Sequence, residues 1–334
     1  MSTNKNLHNA KKAQRDEFYT RYEDIENELV NYQHHFENKV VYCNCDDGNK
    51  SNFYRYFKNN FNSLGLRKLI STNYDIGEGA WSYVYDGKNT EAWPLKGNGD
   101  FRSAECIEFL KEADIVVTNP PFSLFREYVK QLMDYDKKFL IVGNQNAITY
   151  KEIFPYIKNN QLWLGVSPRS MSFLRPNGSI DQVNANWFTN LVHNKRNQPA
   201  VVLTKKYDPE YYPKYDNYNA IEVSKVVDIP IDYDGVMGVP ITFLDKYNPS
   251  QFEIVGLDRY LEGNLYPNKR MFINNKEIYA RILIRKKAEF EIVDARDIAL
   301  NDRQRNKNTY LIKDSDSAIN GKPTYARIAI RRKK

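Results

Sequence analysis

The sequence predicts an α/β protein in which a mostly parallel sheet, covered by helices and finished by an antiparallel pair, is followed by a mainly β, in part mixed, C-terminal region. Three observations carry this expectation. Strand-like apolar runs alternate with helical stripes from Tyr22 to Val142, the pattern of a parallel sheet with helical crossovers. Beyond Asn160 the alternation stops, and two strand-like runs follow without an intervening helix. The last third contains a duplicated β-like segment.

Met1 to Arg15 is polar and basic, with no apolar stripe. From Tyr22 to Phe36, Ile25, Leu29, Tyr32 and Phe36 recur at helical spacing and predict the first helix. Lys39 to Asn44 reads as a buried strand ending in the polar turn Cys45-Asp46-Asp47-Gly48-Asn49. Phe53, Tyr56 and Phe57 then mark a helix over 52–60, and Arg67 to Thr72 a second strand. Strands are expected at Asp114 to Thr118 and Lys138 to Val142, with a helix from Ser123 to Met133 between them. Leu162 to Val166 and Trp187 to Val192 supply the antiparallel pair, and the first domain is expected to end near residue 205.

In the region 206–334, FEIV at Phe252 recurs at Phe290, and YARILIRKK at Tyr279 recurs as YARIAIRRKK at Tyr325. The two intervals are 27 and 35 residues, so the second copy carries an eight-residue insertion. Alternation of Ile282 and Ile284, and of Ile328 and Ile330, with their neighbours places Arg281 and Arg285, and Arg327 and Arg331, on the opposite strand face. Those arginines are candidates for phosphate contacts, against the simpler reading of a solvated face.

Composition narrows the class. With 41% hydrophobic, 14% aromatic and 27% charged residues the chain has the makings of a core and a surface, and its 334 residues suit two domains. No apolar run approaches the roughly 20 residues of a membrane helix, and a cytoplasmic location is expected. Three cysteines form no disulfide framework, and Cys43-x-Cys45 finds no histidines at zinc-finger spacing, so no metal is expected. The net charge of +7 is uneven: from Lys269 to Lys334 there are 18 Lys/Arg and 8 Asp/Glu, a local +10 that leaves −3 for the rest. Such a basic end suits an acidic polymer.

The most informative stretch is Ile115-Val116-Val117-Thr118-Asn119-Pro120-Pro121-Phe122, a strand running into two prolines and then a helix. The prolines stop the strand and stiffen the loop, so the Asn119 amide and the Pro120 carbonyl can project as paired acceptors. An exocyclic amine carries two hydrogens for two such acceptors, and Phe122 is placed to stack on its ring. Methyl transfer from a sulfonium needs alignment and electrostatics from the protein, and neither a metal nor a strong base. Asn44 and Asp46 end the first strand, where a cofactor loop belongs, although G-x-G is absent. Asp75 follows the second strand and suits ribose hydroxyls, or a turn. Asp100, in Gly97-Asn98-Gly99-Asp100, suits an adenine amine, or the N-cap of the next helix.

These residues resemble a known family. DEFYT from Asp16, VVYCNCDD from Val40, GDFRS from Gly99, DIVVTNPPFSLFREY from Asp114, PKYDNY from Pro213 and GVMGVPITFL from Gly235 together resemble the EcoRI-type adenine-specific DNA methyltransferases. The resemblance implies a Rossmann-like fold that binds S-adenosyl-L-methionine, with gamma-class motif order and a C-terminal target-recognition region. It implies cofactor roles for Phe18, Tyr19, Thr20, Asn44, Asp46 and Asp100, and base-binding roles for Asn119, Pro120 and Phe122. It also implies double-stranded DNA as partner and adenine N6 as target. The stretch from Ser167 to Asn184 and the tandem units lie outside the resemblance. The same loop type serves cytosine-N4, RNA-adenine and glutamine-amide methylation, and a catalytically silent DNA-binding module is the reading from another class. A monomer suffices for one asymmetric recognition region, and a cognate restriction endonuclease is compatible with it.

Overall fold

The computed structural model describes residues 19–75, 77, 79–167, 170–174, 180–197, 203–263, 265, 269–278, 280–287, 290–294, 309–311 and 328–332. The chain divides into two compact units, Met1–His193 and Asn194–Lys334, a division that falls ahead of the boundary expected near 205.

In the first unit the elements are β1 (Tyr19–Thr20), α1 (Tyr22–Leu29), β2 (Val40–Asn44), α2 (Asn52–Asn59), β3 (Lys68–Thr72), β4 (Trp81–Tyr85), β5 (Thr90–Pro94), α3 (Ala104–Glu112), β6 (Ile115–Thr118), α4 (Phe125–Asp134), β7 (Lys138–Asn144), α5 (Phe154–Lys158), β8 (Trp163–Leu164), β9 (Ser170–Leu174) and β10 (Ile180–Thr189). They build one sheet in the order β1-β9-β10-β7-β6-β2-β3-β4-β5, with β8 also on β10. The central strands β3, β2, β6 and β7 are parallel. They are buried along nearly their whole length, as a sheet covered on both faces requires.

Antiparallel strands extend this centre on both sides. The expected closing pair is β8 against β10, with Leu164 opposite Phe188. The strands β4 and β5 went unread in the sequence; for β5 the reason is physical, since every one of its residues is exposed and no alternation of burial marks it. The first helix is shorter than its stripe suggests. Ile25, Leu29, Tyr32 and Phe36 are all fully buried, but the α-helix stops at Leu29 and a 3₁₀ turn covers Val30–His35. There the Asn31 amide donates to the Asn27 and Glu28 carbonyls, competing with helical backbone bonds.

Glu28, on the same helix, is fully buried. Its carboxylate accepts from the Tyr32 hydroxyl at 2.8 Å and from the Val166 and Ser167 N–H groups at 2.8 and 2.6 Å. A buried carboxylate is tolerated only with such partners, and here they fasten α1 to the chain leaving β8. Gly165 makes the approach feasible, since a Cβ there would lie 2.2 Å from Glu28 Oε1 and 2.5 Å from Trp187 Cβ.

The second unit contains β11 (Ala220–Glu222), β12 (Val236–Pro240), β13 (Phe252–Leu257), β14 (Met271–Ile273), β15 (Lys276–Ile278), β16 (Arg281–Lys286), β17 (Phe290–Asp294), β18 (Thr309–Leu311) and β19 (Ile328–Arg332). Its sheets run β11-β12-β16-β13, β14-β15 and β17-β19-β18. The sequence duplication is also a duplication of register. Phe252 faces Lys286, Glu253 faces Arg285 and Ile254 faces Ile284. In the second copy Phe290 faces Arg332, Glu291 faces Arg331 and Ile292 faces Ile330. No helix among the described residues is long and apolar enough to cross a membrane.

Replacing Gly165 with Ala should force the Glu28 carboxylate off its donors. The expected loss is about 2 kcal/mol, within the range for overpacking a tight site, and urea denaturation measures it.

Candidate functional site

In the parallel centre the chain passes from β2 to β3 on one side and returns to β6 on the other, so the carboxyl ends of β2 and β6 flank the point where strand order reverses. Open α/β sheets form their ligand crevice there. The residues after β2 and β6 are Cys45-Asp46 and Asn119-Pro120, both singled out in the sequence.

Cys45 turns the chain with a left-handed φ of 66°, and Asp46 follows, buried. The Asp46 backbone N–H donates to Thr72 O at 2.8 Å, which ties the turn to the end of β3. Ser51 Oγ donates to Asp46 Oδ1 at 2.7 Å and accepts from the Phe53 and Tyr54 N–H groups, capping α2. Thr118 Oγ1 lies 2.5 Å from Asp46 Oδ2 and also contacts Asn44 O. The Asn119 backbone N–H reaches the Asp46 carboxylate too. Burial pushes the Asp46 carboxyl up to about 7, against the lowering effect of the Thr118 and Ser51 hydrogen bonds.

Thr118 has one hydroxyl proton for two neighbouring oxygens. Both contacts are hydrogen bonds when Asp46 carries a proton and donates it to Thr118, which then donates to Asn44 O. The same geometry therefore agrees with the raised carboxyl.

After β6, Pro120 is buried and Asn119, Pro121 and Phe122 are half-buried. A 3₁₀ turn over Phe122–Leu124 precedes α4, where the sequence suggested uninterrupted helix. The turn closes by Leu124 N–H donating to Pro121 O at 3.0 Å. Phe122 meets Phe173 of β9 edge-on, with ring centroids 6.3 Å apart and an interplanar angle of 87°. Phe173 in turn faces Thr20 across the β1–β9 ladder, and the Asn52 amide donates to Thr20 O at 2.8 Å. Tyr19 and Thr20 thus join the rim of the same crevice through β9 and the start of α2. Phe18 lies outside the described residues.

Asp75 and Asp100 belong to adjoining loops, joined where Asp75 N–H donates to Asn98 O at 3.0 Å. Gly99, at φ 72°, packs against the end of β3 so closely that a Cβ would stand 1.9 Å from Asn73 O. Asp75 Oδ1 accepts from Gly77 N–H, a turn role. The N-cap role weighed for Asp100 falls instead to Ser103, which accepts from Cys106 N–H. Asp100 is gripped by Arg102 through Nε at 2.9 Å and Nη2 at 2.7 Å, which holds its carboxyl below the usual range and keeps it ionised. All three cysteines are free, and burial raises the Cys43 and Cys45 thiols. Among the described residues no group of three or more His, Cys, Asp or Glu could hold a metal ion.

The arginine candidates of the second unit separate. Arg281 forms a partly buried, two-point ion pair with Glu222, Nη2 to Oε1 at 2.6 Å and Nε to Oε2 at 2.8 Å, and Tyr215 donates to the same carboxylate. That pair occupies Arg281 in the free protein, and Leu283, its neighbour on that strand face, is buried in a second small core. Arg285 is exposed, opposite Glu253. Arg331 lies on β19 opposite Glu291, and Arg327 is outside the described residues. Sequence reasoning missed Ser51, Thr118, Phe173 and Glu222. The Ser before a helical stripe was a readable cap signal, whereas Phe173 sits in a segment without recognisable pattern.

Comparison with known proteins adds the following. A family model described as "Adenine-specific methyltransferase EcoRI" matches residues 6–80 and 78–333. The chain is 48% identical over 324 residues to Type II methyltransferase M.EcoRI of Escherichia coli, covering 86% of this chain and 98% of that one. It is 41% identical to Type II methyltransferase M.MgeORF184P of Mycoplasma genitalium (83% and 97% covered) and 44% identical to Type II methyltransferase M.MpnI of Mycoplasma pneumoniae (74% and 83% covered).

Two outcomes follow from these geometries. Asp46, raised in the folded state from 3.8 to about 7, stabilises fully below its unfolded value, and that contribution is lost as pH rises through about 7. Asp46→Asn should therefore gain stability relative to the native protein between those values, at up to ~1.4 kcal/mol per pH unit. Paired urea melts across pH give this difference directly. Arg281→Ala should cost about 3 kcal/mol by leaving Glu222 buried without its cation, and should show as lost stability of the free protein in the same melts.

Proposed function

The chain belongs to the EcoRI family of adenine-specific methyltransferases, and from that premise we propose that loop 119–122 is where the methyl of S-adenosylmethionine passes to the exocyclic amine of an adenine flipped out of double-stranded DNA. The enzyme is a site-specific DNA adenine methyltransferase. The observation that carries the reading of the site is the emergence of Asn119-Pro120-Pro121-Phe122 from β6 at the point of strand-order reversal, beside the loop that ends β2.

The Asn119 side-chain oxygen and the Pro120 carbonyl accept the two amine hydrogens, which turns the nitrogen lone pair away from the base plane. Phe122, held edge-on by Phe173, stacks on the extruded base. S-adenosylmethionine, when bound, supplies a methyl already activated on a positive sulfur. Tyr19, Thr20, Asn44, Asp75 and Asp100 would hold it, with Phe18 completing the first element. They fit such a group: the Thr20 hydroxyl is buried with no partner among the described residues, and Asp100 is kept ionised by Arg102. An unpaired buried hydroxyl is costly and is explained by a ligand that supplies the bond.

The reading assigns catalysis to the first domain, 1–205, and target recognition to 206–334, with Arg285, Arg327 and Arg331 as phosphate contacts. It places the protein in the cytoplasm, acting as a monomer, with a cognate endonuclease as an optional partner.

Labelled methyl from S-adenosylmethionine should appear in double-stranded DNA as N6-methyladenine on nucleoside analysis; N4-methylcytosine, or label in RNA or protein only, would overturn the base or the substrate. Asn119→Ala should lower the transfer rate by at least ~100-fold, as loss of a transition-state hydrogen bond does, while calorimetry shows the cofactor still bound.

A further inference from the structure

The backbone of residues 119–121 has one hydrogen-bond donor, because Pro120 and Pro121 have no N–H. That donor, the Asn119 N–H, lies beside Asp46 and is among the groups that lower its carboxyl. The residue before it, Thr118, is fully buried and bonds to the same carboxylate. The Asp46 carboxyl group has three partners here, the Ser51 hydroxyl, the Thr118 hydroxyl and the neighbouring Asn119 N–H. Its far side is anchored, since Ser51 is the cap of α2, and Ser71 Oγ donates to the Asp46 carbonyl from β3. Asp46 is thus held by helix α2 and strand β3 and stands at the entrance to the loop.

We propose that Asp46 is a positioning residue for methyl transfer: through Thr118 and the Asn119 N–H it fixes the direction in which Asn119 leaves β6, and it is not a ligand of the cofactor. The family resemblance placed Asp46 among the cofactor residues; its hydrogen bonds point to the base-binding loop. The inference rests on Asn119 being an acceptor of the target amine. Asn119 has three points of control. Asp46 sets its N–H and Thr118 the residue before it, while Pro120 restricts its own backbone to the extended region. Without the carboxylate, rotation about the bonds flanking Asn119 moves its side-chain oxygen, and a displacement of about 1 Å at such a centre costs on the order of 100-fold in rate.

The test uses the full-length protein, S-adenosylmethionine and double-stranded DNA containing its methylation site. It compares the single-turnover rate with the calorimetric Kd for S-adenosylmethionine in Asp46→Asn, Thr118→Val and Thr118→Ser. The first two should lose at least ~10-fold in rate with Kd changed by less than ~3-fold, and Thr118→Ser, which keeps the hydroxyl, should recover most of the rate. A Kd weakened in step with the rate in Asp46→Asn would make Asp46 a cofactor ligand and overturn the proposal. An unchanged rate in Thr118→Val would do the same. Should Asp46→Asn fail to fold by circular dichroism, the Thr118→Val and Thr118→Ser pair decides the matter, because neither alters a charge. Asn119→Ala, run alongside, separates the premise: full activity there defeats the amine-acceptor reading itself, whatever Asp46 does.

Discussion

A carboxylate buried where the strand order reverses is the constraint around which the first unit is organised. Asp46 cannot sit there without donors on every side, and each donor dictates a neighbour. The chain must turn sharply after β2, which Cys45 does with a left-handed φ. A serine must cap α2 and face inward. The strand β6 must end on a hydroxyl, and the loop after it must present its one N–H to the same group. Helix α2 and strands β2, β3 and β6 are thereby referred to one residue, β3 through its backbone and α2 and β6 through its side chain, which is a way of holding a loop still in an enzyme whose task is alignment.

The same device recurs where no chemistry takes place. Glu28 fastens α1 to the segment after β8 through two backbone N–H groups and a tyrosine. Glu222 fastens β11 to β16 through Arg281, with Tyr215 bonded to it as well. In each case a charge is tolerated in the interior because its acceptor positions are filled by donors that the fold presents from different elements. The Glu222 cluster also changes the meaning of the first YARI copy: there Arg281 supports a strand, while Arg285 is exposed.

Much of the architecture was legible because the signals were periodic or steric. The parallel strands are short runs with apolar centres, the helices bear stripes, and two prolines after a strand have few alternatives to a stiff loop. The duplication was visible as repeated words, and its register followed from them, since Phe252 and Phe290 face equivalent positions. The strand β5 was silent because all its residues face solvent without alternation, whereas β4, with Ser82, Tyr83 and Val84 buried, and β9, where Met171 and Phe173 alternate with serines, are short signals that went unread.

By itself the sequence determined the order of the parallel strands, the position of Asn119-Pro120-Pro121-Phe122 at a strand end, and the family to which these words belong, because local sterics and burial periodicity are properties of neighbouring residues. Tertiary structure decided the pairings across long separations: Asp46 with Thr118, Phe122 with Phe173, Glu28 with Val166, and Arg281 with Glu222. A hydrogen-bond partner seventy or more residues away leaves no trace in local spacing, so whether a charged side chain meets a ligand, solvent or another part of the chain is settled only when the strands are brought side by side.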